Sequence, residues 1–196
     1  MSDRICFRDA CRNDSADIAG YLLSAWPVEV FLGMDESLTV ETLKEIVRGY
    51  VESEDTIYSY RNTIVAVCDG KVVGAINGYD GNDFKELKRP VAEDLRRRFG
   101  DVPYASVEET GPGEFYLDSI GVSEEMRSRG VGSGLFRAMI RRARLLGHKV
   151  AGLLVDYDNP RAEALYRRLG FGYVGDTDFM GHRMKHLQVD TESFDI

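Results

Sequence analysis

The spacing of apolar residues divides the chain into segments of two kinds. In one kind, apolar and polar residues alternate or apolar residues run together, which predicts β-strands. In the other, apolar residues recur about every three or four positions, which predicts helices. Strands are predicted at residues 4–8, 57–68, 72–77, 114–122, 150–155, 171–176 and 179–187, and helices after Asp14 and at residues 39–51, 131–146 and 160–169. This order of elements indicates one domain of the mixed α/β class.

Two sets of turn and cap residues mark the limits of these elements. Asp69-Gly70 separates the second and third predicted strands, and this dipeptide favours a tight hairpin. Asn159 is a typical N-cap, Pro160 suits the first helical position, and Gly170 follows the last predicted turn of that helix. We therefore expect a hairpin at residue 70 and a short helix that begins at Pro160.

Residues 79–113 interrupt the pattern of short elements. The segment is rich in charged residues and carries Phe84, Val91 and Phe99 at helical spacing, so it predicts a helix-bearing excursion between two central strands. Insertions of this length in compact domains are commonly functional lids or disordered segments. The final residues, 189–196, are acidic, and we expect a loose tail after a domain of residues 1–188.

Composition and charge exclude several classes of protein. The 196 residues carry a formal charge of −8, which disfavours a nucleic-acid partner because such binding requires a basic face. No apolar run approaches the roughly 20 residues that cross a bilayer, and residues 1–4 do not form a signal region, so we expect no membrane partner and a cytoplasmic location. The three cysteines lack metal or disulfide spacing, and His182 and His186 lie on a predicted strand without a metal-binding motif. We therefore expect no metal site.

The segment between the fourth predicted strand and the following helix is rich in glycine. Gly130, Gly132 and Gly134 occur there, preceded by Arg127 and Arg129. Glycines let the backbone approach an anion closely, and the N–H groups of a helix's first turn point towards it. The segment therefore predicts a cradle for a diphosphate, with tight packing of the helix on the strand as the alternative reason for the glycines.

Two common phosphate-binding motifs do not fit this segment. A P-loop requires a Gly-Lys-Ser/Thr sequence, which the segment lacks. The dinucleotide motif G-x-G-x-x-G requires its third glycine where the chain has Leu135, and its first glycine directly after the strand. Instead, seven residues separate Val122 from Gly130. Both motifs are therefore excluded.

The segment instead resembles the coenzyme A-binding loop of the GNAT acetyltransferases. The loop resemblance rests on Arg127-x-x-Gly130-x-Gly132, and a second signature of the family follows it as Asn159-x-x-Ala162-x-x-Leu165-Tyr166-x-x-Leu169-Gly170-Phe171. The match covers residues 116–173, and the remaining elements follow the order of that family. Two departures are the excursion at residues 79–113 and Glu124, where many members have proline. The resemblance implies a single domain with a mixed, mostly antiparallel sheet flanked by helices.

The resemblance also implies a binding site for acetyl-CoA. In this family the fourth strand splays from the fifth, and pantetheine lies between them. Backbone groups of Ile120 and Val122 would then bind the pantetheine amides, and Asn159 would contact the pantetheine arm or serve only as an N-cap. The complete set of cofactor-binding residues that the resemblance implies is Ile120, Gly121, Val122, Arg127, Ser128, Arg129, Gly130, Val131, Gly132, Ser133, Asn159 and Tyr166.

Tyr166 matches the position that commonly faces the sulfur of coenzyme A in this family. A tyrosine hydroxyl can donate a proton or a hydrogen bond to the departing thiolate. The alternative is a helix tyrosine that packs in the core. We expect the catalytic role.

The attacking amine must also lose a proton, because a lysine-like amine has a pKa near 10.4. Strand alternation places Glu114, Tyr116 and Asp118 on one face of the fourth strand. Asp118 is the preferred candidate for binding or deprotonating the amine, because a carboxylate in an apolar strand is costly unless it has a partner. Glu114 is the alternative base, and a purely structural role of Asp118 also stays open. A backbone N–H near Ile120 would stabilise the oxyanion.

We expect an N-acetyltransferase that moves the acetyl group of acetyl-CoA to a primary amine of a small molecule or peptide. No nucleophile–base pair is apparent, so direct transfer in a ternary complex is expected, and the family makes a homodimer a reasonable expectation. The excursion would shape or cover the acceptor site. The aromatic residues Trp26, Phe31 and Tyr58 could line that site, although core packing is favoured. The alternatives are a non-catalytic coenzyme A-binding or regulatory module, or an interaction protein on a relic of the fold.

Overall fold

A computed structural model describes residues 4–194 of the chain. The strands are β1 Ile5–Asp9, β2 Thr63–Cys68, β3 Lys71–Asp80, β4 Phe115–Val122, β5 Val150–Asp156, β6 Gly172–Phe179 and β7 His182–Asp190. The α-helices are α1 Ser15–Leu23, α2 Val28–Leu32, α3 Val40–Glu52, α4 Phe84–Phe99, α5 Val131–Leu145 and α6 Pro160–Arg168. The predictions for residues 1–3 and for the last two residues of the tail lie outside the described residues.

The strands form one seven-stranded sheet in the order β1-β2-β3-β4-β5-β7-β6. Every neighbouring pair is antiparallel except β4 and β5, which run parallel. The β2–β3 hairpin turns at Asp69-Gly70, where both residues have positive φ, 48° and 79°. The predicted hairpin and the predicted mixed, mostly antiparallel sheet are therefore confirmed. Within residues 4–194, no helix is both long and apolar enough to cross a membrane.

Helices cover both faces of the sheet. Alternate residues of the central strands point into two cores. In the first core, Ile64 and Leu117 pack towards α5. In the second core, Val65 and Tyr116 pack towards α1, α3 and α4. The predicted alternation along β4 is thus confirmed for its first half. Burial of apolar side chains on both faces explains why the central strands carry nearly continuous apolar runs.

The excursion is part of the second core and does not form a detachable lid. Its helix α4 buries Phe84, Val91 and Leu95 against α1 and α3. The two ends of the excursion meet at Gly81, where an added Cβ would lie 2.1 Å from the carbonyl oxygen of Gly111. Removing the segment would therefore expose a large apolar area.

Two predicted boundaries were wrong. Strand β2 begins at Thr63 and not at residue 57, because Ile57 donates its N–H to Leu87 of α4, 3.0 Å away, and is buried by that helix. The β6–β7 hairpin turns at Met180-Gly181, where φ is 52° and 84°. Strand β6 therefore extends to Phe179, and β7 begins at His182 and ends at Asp190, three residues later than predicted at each end. In each case a tertiary contact or pairing decided what the local apolar pattern left ambiguous.

The expected loose tail is ordered through residue 194, which corrects that prediction. Strand β7 continues to Asp190, Thr191 is fully buried, and Phe194 packs into the first core with 8% exposure. Acidic composition suggested a solvated tail, but its apolar side chains, Val189 and Phe194, pack in the first core.

Replacing Phe194 by alanine is expected to lower the free energy of unfolding by about 3 kcal/mol, because a buried aromatic ring is lost. Urea denaturation measures this change. The control is Tyr173→Ala, at a ring that is 48% exposed, for which a change within about 0.5 kcal/mol is expected. Equal effects of the two variants would contradict the assignment of Phe194 to the core.

Candidate active site

A cleft opens in the sheet where β4 and β5 separate. The two strands pair only at Phe115–Ala151 and Tyr116–Gly152, so β4 has no strand partner on that side beyond Tyr116. A cavity of about 420 Å³ occupies this region and is bordered by Ile120 of β4 and the end of β5. This separation is the geometry that the family resemblance implies for pantetheine.

A β-bulge in β4 shapes the floor of the cavity. Between the pairs Ile76–Ile120 and Gly78–Leu117, β4 advances three residues while β3 advances two. Asp118 and Ser119 therefore share one position opposite β3, and both residues line the cavity. Strict alternation would have directed these two side chains to opposite faces.

The predicted diphosphate cradle lies between β4 and α5. Ser128 and Gly130 have φ values of 62° and 81°, and left-handed residues of this kind form concave nests of N–H groups that bind anions. Gly130 is the N-cap of α5, and no side chain caps that helix. Arg127 is 65% exposed and pairs only loosely with Glu124, at 3.3 Å. The remaining predicted loop residues, Arg129, Val131, Gly132 and Ser133, are in the same loop and in the first turn of α5.

The three glycines at the start of α5 differ in their surroundings. An added Cβ at Gly132 would meet only Val122, at 3.9 Å, and at Gly130 it would meet nothing within 4 Å. At Gly134 the same atom would lie 2.1 Å from the ring of Phe7. Tight helix–strand packing therefore explains Gly134, whereas Gly132 faces open space, as expected of a cradle that an anion approaches.

Ile120, Gly121 and Val122 form the end of β4 beside the cleft. Gly121 approaches helix α1 so closely that an added Cβ would lie 2.6 Å from the carbonyl oxygen of Tyr21. Ile120 and Val122 are half-buried and pack against the first core. The structure thus places the predicted pantetheine-binding strand along the unpaired edge of β4.

Tyr166 of α6 lines the cavity. Its ring packs edge-on against Phe136, with a centroid separation of 5.2 Å, and its hydroxyl makes no hydrogen bond within residues 4–194. Burial raises the pKa of Tyr166 to about 12. The hydroxyl therefore keeps its proton at neutral pH and can donate it into the cavity.

Asn159 caps α6 and also lines the cavity. Its Oδ1 accepts a hydrogen bond from the N–H of Ala162, 3.1 Å away, which confirms the predicted N-cap. The side-chain amide N–H₂ makes no hydrogen bond within the described residues and is available to a ligand. The two predicted roles of Asn159 are therefore compatible.

Asp118 is half-buried on the cavity floor. It accepts hydrogen bonds from the hydroxyls of Tyr79, at 2.8 Å, and Ser119, at 2.6 Å, and these engage both of its oxygens. Burial raises the pKa of Asp118, although the two hydrogen bonds oppose the shift. Asp118 is therefore positioned at the cavity, with both oxygens already partnered.

Glu114 does not line this cavity. It is 4% exposed and lies beside a second cavity, where it accepts hydrogen bonds from His186, Gln188 and Thr110 at 2.8, 2.8 and 2.7 Å. Burial alone would raise the pKa of Glu114, but these hydrogen bonds outweigh it and lower the pKa. An added Cβ at Gly152 would lie 1.9 Å from Oε2 of Glu114, so a larger residue at position 152 would clash with this carboxylate. The arrangement joins β4 to β7 and to the end of the excursion.

Glu109 lines the cavity and was missed by the sequence analysis. It comes from the coil that follows α4, and its side chain is 8% exposed. Burial, followed by the nearby charge of Asp118, raises the pKa of Glu109 to about 8. Nothing in its charged local sequence distinguishes it from the exposed carboxylates around it.

Aromatic and acidic side chains dominate the remaining walls. Phe31 and Tyr58 are buried as predicted, yet they and Trp26 also line the cavity, so the two roles are not exclusive. Three carboxylates line the cavity, from Glu109, Asp118 and Asp156, and no described lining residue is lysine, arginine or histidine. The cavity therefore favours a cationic ligand.

A model of the acetyltransferase (GNAT) family matches residues 36–171 of the chain. This range contains the cleft, the cradle, Asp118, Asn159 and Tyr166. No curated protein matches the chain significantly.

Solved structures extend the likeness to nearly the whole chain. A structure described as an acetyltransferase shares 30% identity over 95% of this chain and 99% of its own, with a TM-score of 0.75. An N-acetyltransferase from Staphylococcus aureus Mu50 has the same fold, with 22% identity, coverage of 94% and 100%, and a TM-score of 0.81. The family match and the 30% identical structure together establish that this chain belongs to the GNAT family of acetyltransferases.

Proposed function

We propose that the protein transfers the acetyl group of acetyl-CoA to a cationic primary amine of a small molecule or peptide. The observation that carries this proposal is continuity: one cavity joins the β4–β5 cleft to Tyr166, Asp118 and the acidic aromatic walls. A cofactor bound along the cleft would present its acyl group to an amine held by those walls.

The chain's own residues fit coenzyme A at three points. The open face of Gly132 and the uncapped first turn of α5 would hold the diphosphate. The unpaired edge of β4 at Ile120 and Val122 would bind the pantetheine amides. Asn159 would offer its free N–H₂ group to the same arm. Acetyl-CoA would supply the activated thioester.

Direct transfer in a ternary complex is the proposed mechanism. The protonated hydroxyl of Tyr166 would hydrogen-bond to the departing thiolate and protonate it. Asp118 would help to hold the amine at the cavity floor. The cytoplasmic location and the homodimer stay predictions.

The amine is proposed to enter as a cation. Several aromatic rings and the carboxyl groups of Glu109, Asp118 and Asp156 surround the space. An ammonium group is attracted to the ring faces and to the carboxyl groups that are ionised. An anionic acceptor would meet repulsion in the same space. The proposed acceptor class is therefore an amine without a carboxylate next to the reacting nitrogen.

Thermal unfolding with acetyl-CoA, free coenzyme A or NAD tests the cofactor assignment. A ligand that binds only the native state stabilises it by about 2.7 kcal/mol at a hundredfold excess over Kd. We expect both coenzyme A species to raise the midpoint and NAD to leave it unchanged. No shift with either coenzyme A species at about millimolar concentration would refute the assignment.

Thiol release from acetyl-CoA then tests the transfer. The probe acceptors are putrescine, phenethylamine and alaninamide, which are cationic primary amines that differ in the group carrying the amine. N-Acetylputrescine serves as a singly charged comparison for putrescine. Release with at least one amine is expected. Binding of acetyl-CoA without release with any probe would favour the non-catalytic, coenzyme A-binding alternative.

A further inference from the structure

The side chain of Glu109 has one oxygen without a hydrogen-bond partner, although it is more than nine-tenths buried. Its Oε2 accepts a hydrogen bond from the Tyr116 hydroxyl at 3.3 Å, whereas its Oε1 is buried and accepts none. The ammonium group of Lys88 is 3.9 Å from Oε1, which is beyond hydrogen-bond distance. A buried acceptor of this kind is costly unless a ligand or water satisfies it.

The excursion holds this carboxylate in place from both sides. Lys88 of α4 donates a hydrogen bond to the carbonyl oxygen of Val107, 2.5 Å away, and its ammonium group lies 4.2 Å from the centre of the Tyr104 ring. On the other side, the hydroxyl of Thr110 donates to Glu114. The carbonyl of Val107 and the side chain of Thr110 are therefore each bonded to a buried side chain, and the Glu109 carboxylate between them lines the cavity.

The other carboxylates near the cleft are less suited to accept a proton. Asp118 already accepts a hydrogen bond at each oxygen, and Glu114 accepts three and lies outside the cavity. Asp156 pairs with His182 at 3.4 Å and lies towards solvent, with 31% of its side chain exposed. Among the described carboxylates near the cleft, only Glu109 combines burial, an oxygen without a hydrogen-bond partner and a place on the cavity wall.

We propose that Glu109, supplied by the excursion between β3 and β4, is the catalytic base that takes the proton from the acceptor amine. This inference rests on the proposed function. The ammonium group first gives one proton to the ionised Oε1 of Glu109, and the neutral nitrogen then forms a bond to the acetyl carbon. As the carbon–sulfur bond breaks, the thiolate takes a proton from Tyr166, and the second nitrogen proton restores the Tyr166 hydroxyl. The proton on Glu109 then passes to solvent, so each transfer releases one proton. Asp118 then binds the ammonium group and positions it at the cavity floor.

The electrostatics of the site agree with this role. A pKa of about 8 makes Glu109 a stronger base than an ordinary glutamate while leaving an ionised fraction at neutral pH. Asp118 from β4 adds to the rise, whereas Lys88 from α4 and the Tyr116 hydroxyl oppose it. Burial also lowers the pKa of Lys88, so desolvation acts on both members of this pair. The buried tyrosines Tyr58, Tyr79 and Tyr104 also interact with the Glu109 charge, and burial raises their pKa values. Among the described residues, Asp156 and Tyr166 are the remaining titratable groups that line the cavity.

The test compares Glu109→Gln with Glu108→Gln. These neighbouring glutamates differ in exposure, because Glu108 is 66% exposed and pairs with Lys85 at the surface. With putrescine as the acceptor, E109Q is expected to lose about 10²-fold or more in kcat/KM at pH 8, with the KM for acetyl-CoA unchanged. E108Q should behave as the wild type. E109D, which keeps a carboxylate, should recover part of the rate. It should also recover the rise of kcat/KM with pH near 8, which E109Q lacks.

A second measurement does not depend on turnover. The folded state keeps the Glu109 proton up to pH about 8, whereas the ordinary pKa is 4.5, so the stability from this proton is present at low pH and is lost as pH rises towards 8. The thermal midpoint of wild type and E108Q should fall relative to that of E109Q between pH 5 and 8. All three proteins keep Lys88, but E109Q removes the Glu109 charge that raises the pKa of this lysine. That change acts in the same direction, because a lysine whose pKa is lowered in the folded state gains stability as pH rises.

The outcomes separate this inference from the proposed function. Full activity of E109Q in an enzyme that releases thiol would overturn the role of Glu109 and leave the function standing. Parallel stability profiles of E109Q and wild type would also overturn it, because Glu109 would then titrate as an ordinary carboxylate. Absence of thiol release by the wild type with every probe amine would refute the proposed function and this inference together.

Discussion

Replacing Tyr166 by phenylalanine is expected to lower kcat about 10²- to 10⁴-fold, because the thiolate would leave without a proton donor. The hydroxyl carries its proton at neutral pH and makes no hydrogen bond to another residue within the described part of the chain. Its removal therefore frees no buried partner, and the ring contacts to Phe136 and Phe171 are kept. Steady-state thiol release measures the effect, and the KM for acetyl-CoA should change little.

The control is Tyr173→Phe, which removes the hydroxyl of a nearby tyrosine that is 48% exposed and does not line the cavity. This variant should keep the wild-type kcat. Thermal midpoints of both variants should remain close to that of the wild type. A Tyr166→Phe enzyme with a full kcat would show that another group protonates the sulfur.

Substituting Gly132 by alanine is expected to weaken acetyl-CoA binding at least tenfold, equivalent to about 1.4 kcal/mol, without destabilising the ligand-free protein. The added methyl group has room within the fold, since its nearest neighbour is Val122 at 3.9 Å. Alanine also favours the helix over glycine by up to about 1 kcal/mol. The methyl group instead occupies the open face on which the diphosphate would lie. Calorimetric titration measures the Kd.

Gly134→Ala is the matched comparison, because Gly134 lies in the same N-terminal part of α5. Its Cβ would lie 2.1 Å from the ring of Phe7, so the protein should lose about 1–3 kcal/mol of stability through overpacking. The fraction that remains folded should bind acetyl-CoA with an affinity closer to that of the wild type. Unimpaired binding by the Gly132→Ala protein would contradict the cradle.

Local signals in the sequence predicted most of the fold. Asp69-Gly70 placed a hairpin, Asn159 and Pro160 placed the start of α6, and the alternation along β4 separated Tyr116 from Leu117. These features depend on residues close together in the chain, where backbone preference and the period of burial are decisive. The loop and helix signatures then identified the family.

Pairing and burial decided what the local signals left open. The bulge that brings Asp118 and Ser119 to the same cavity exists only because β3 and β4 change register. The tail becomes ordered because Phe194 reaches the first core. The bulge pairs residues about forty positions apart, and Phe194 lies against Arg137, 57 positions earlier in the chain. Neither event can therefore be predicted from the nearby sequence.

The sequence by itself determined the family, the order of elements, the cradle loop and the candidacy of Asn159, Asp118 and Tyr166. The tertiary structure alone decided which carboxylates reach the cavity. Glu108 and Glu109 are identical side chains in one charged segment, yet 66% of the first is exposed and 8% of the second. Packing of α4 against the sheet buries Glu109 beside Lys88 and Tyr116, and the resulting loss of hydration raises the pKa of Glu109.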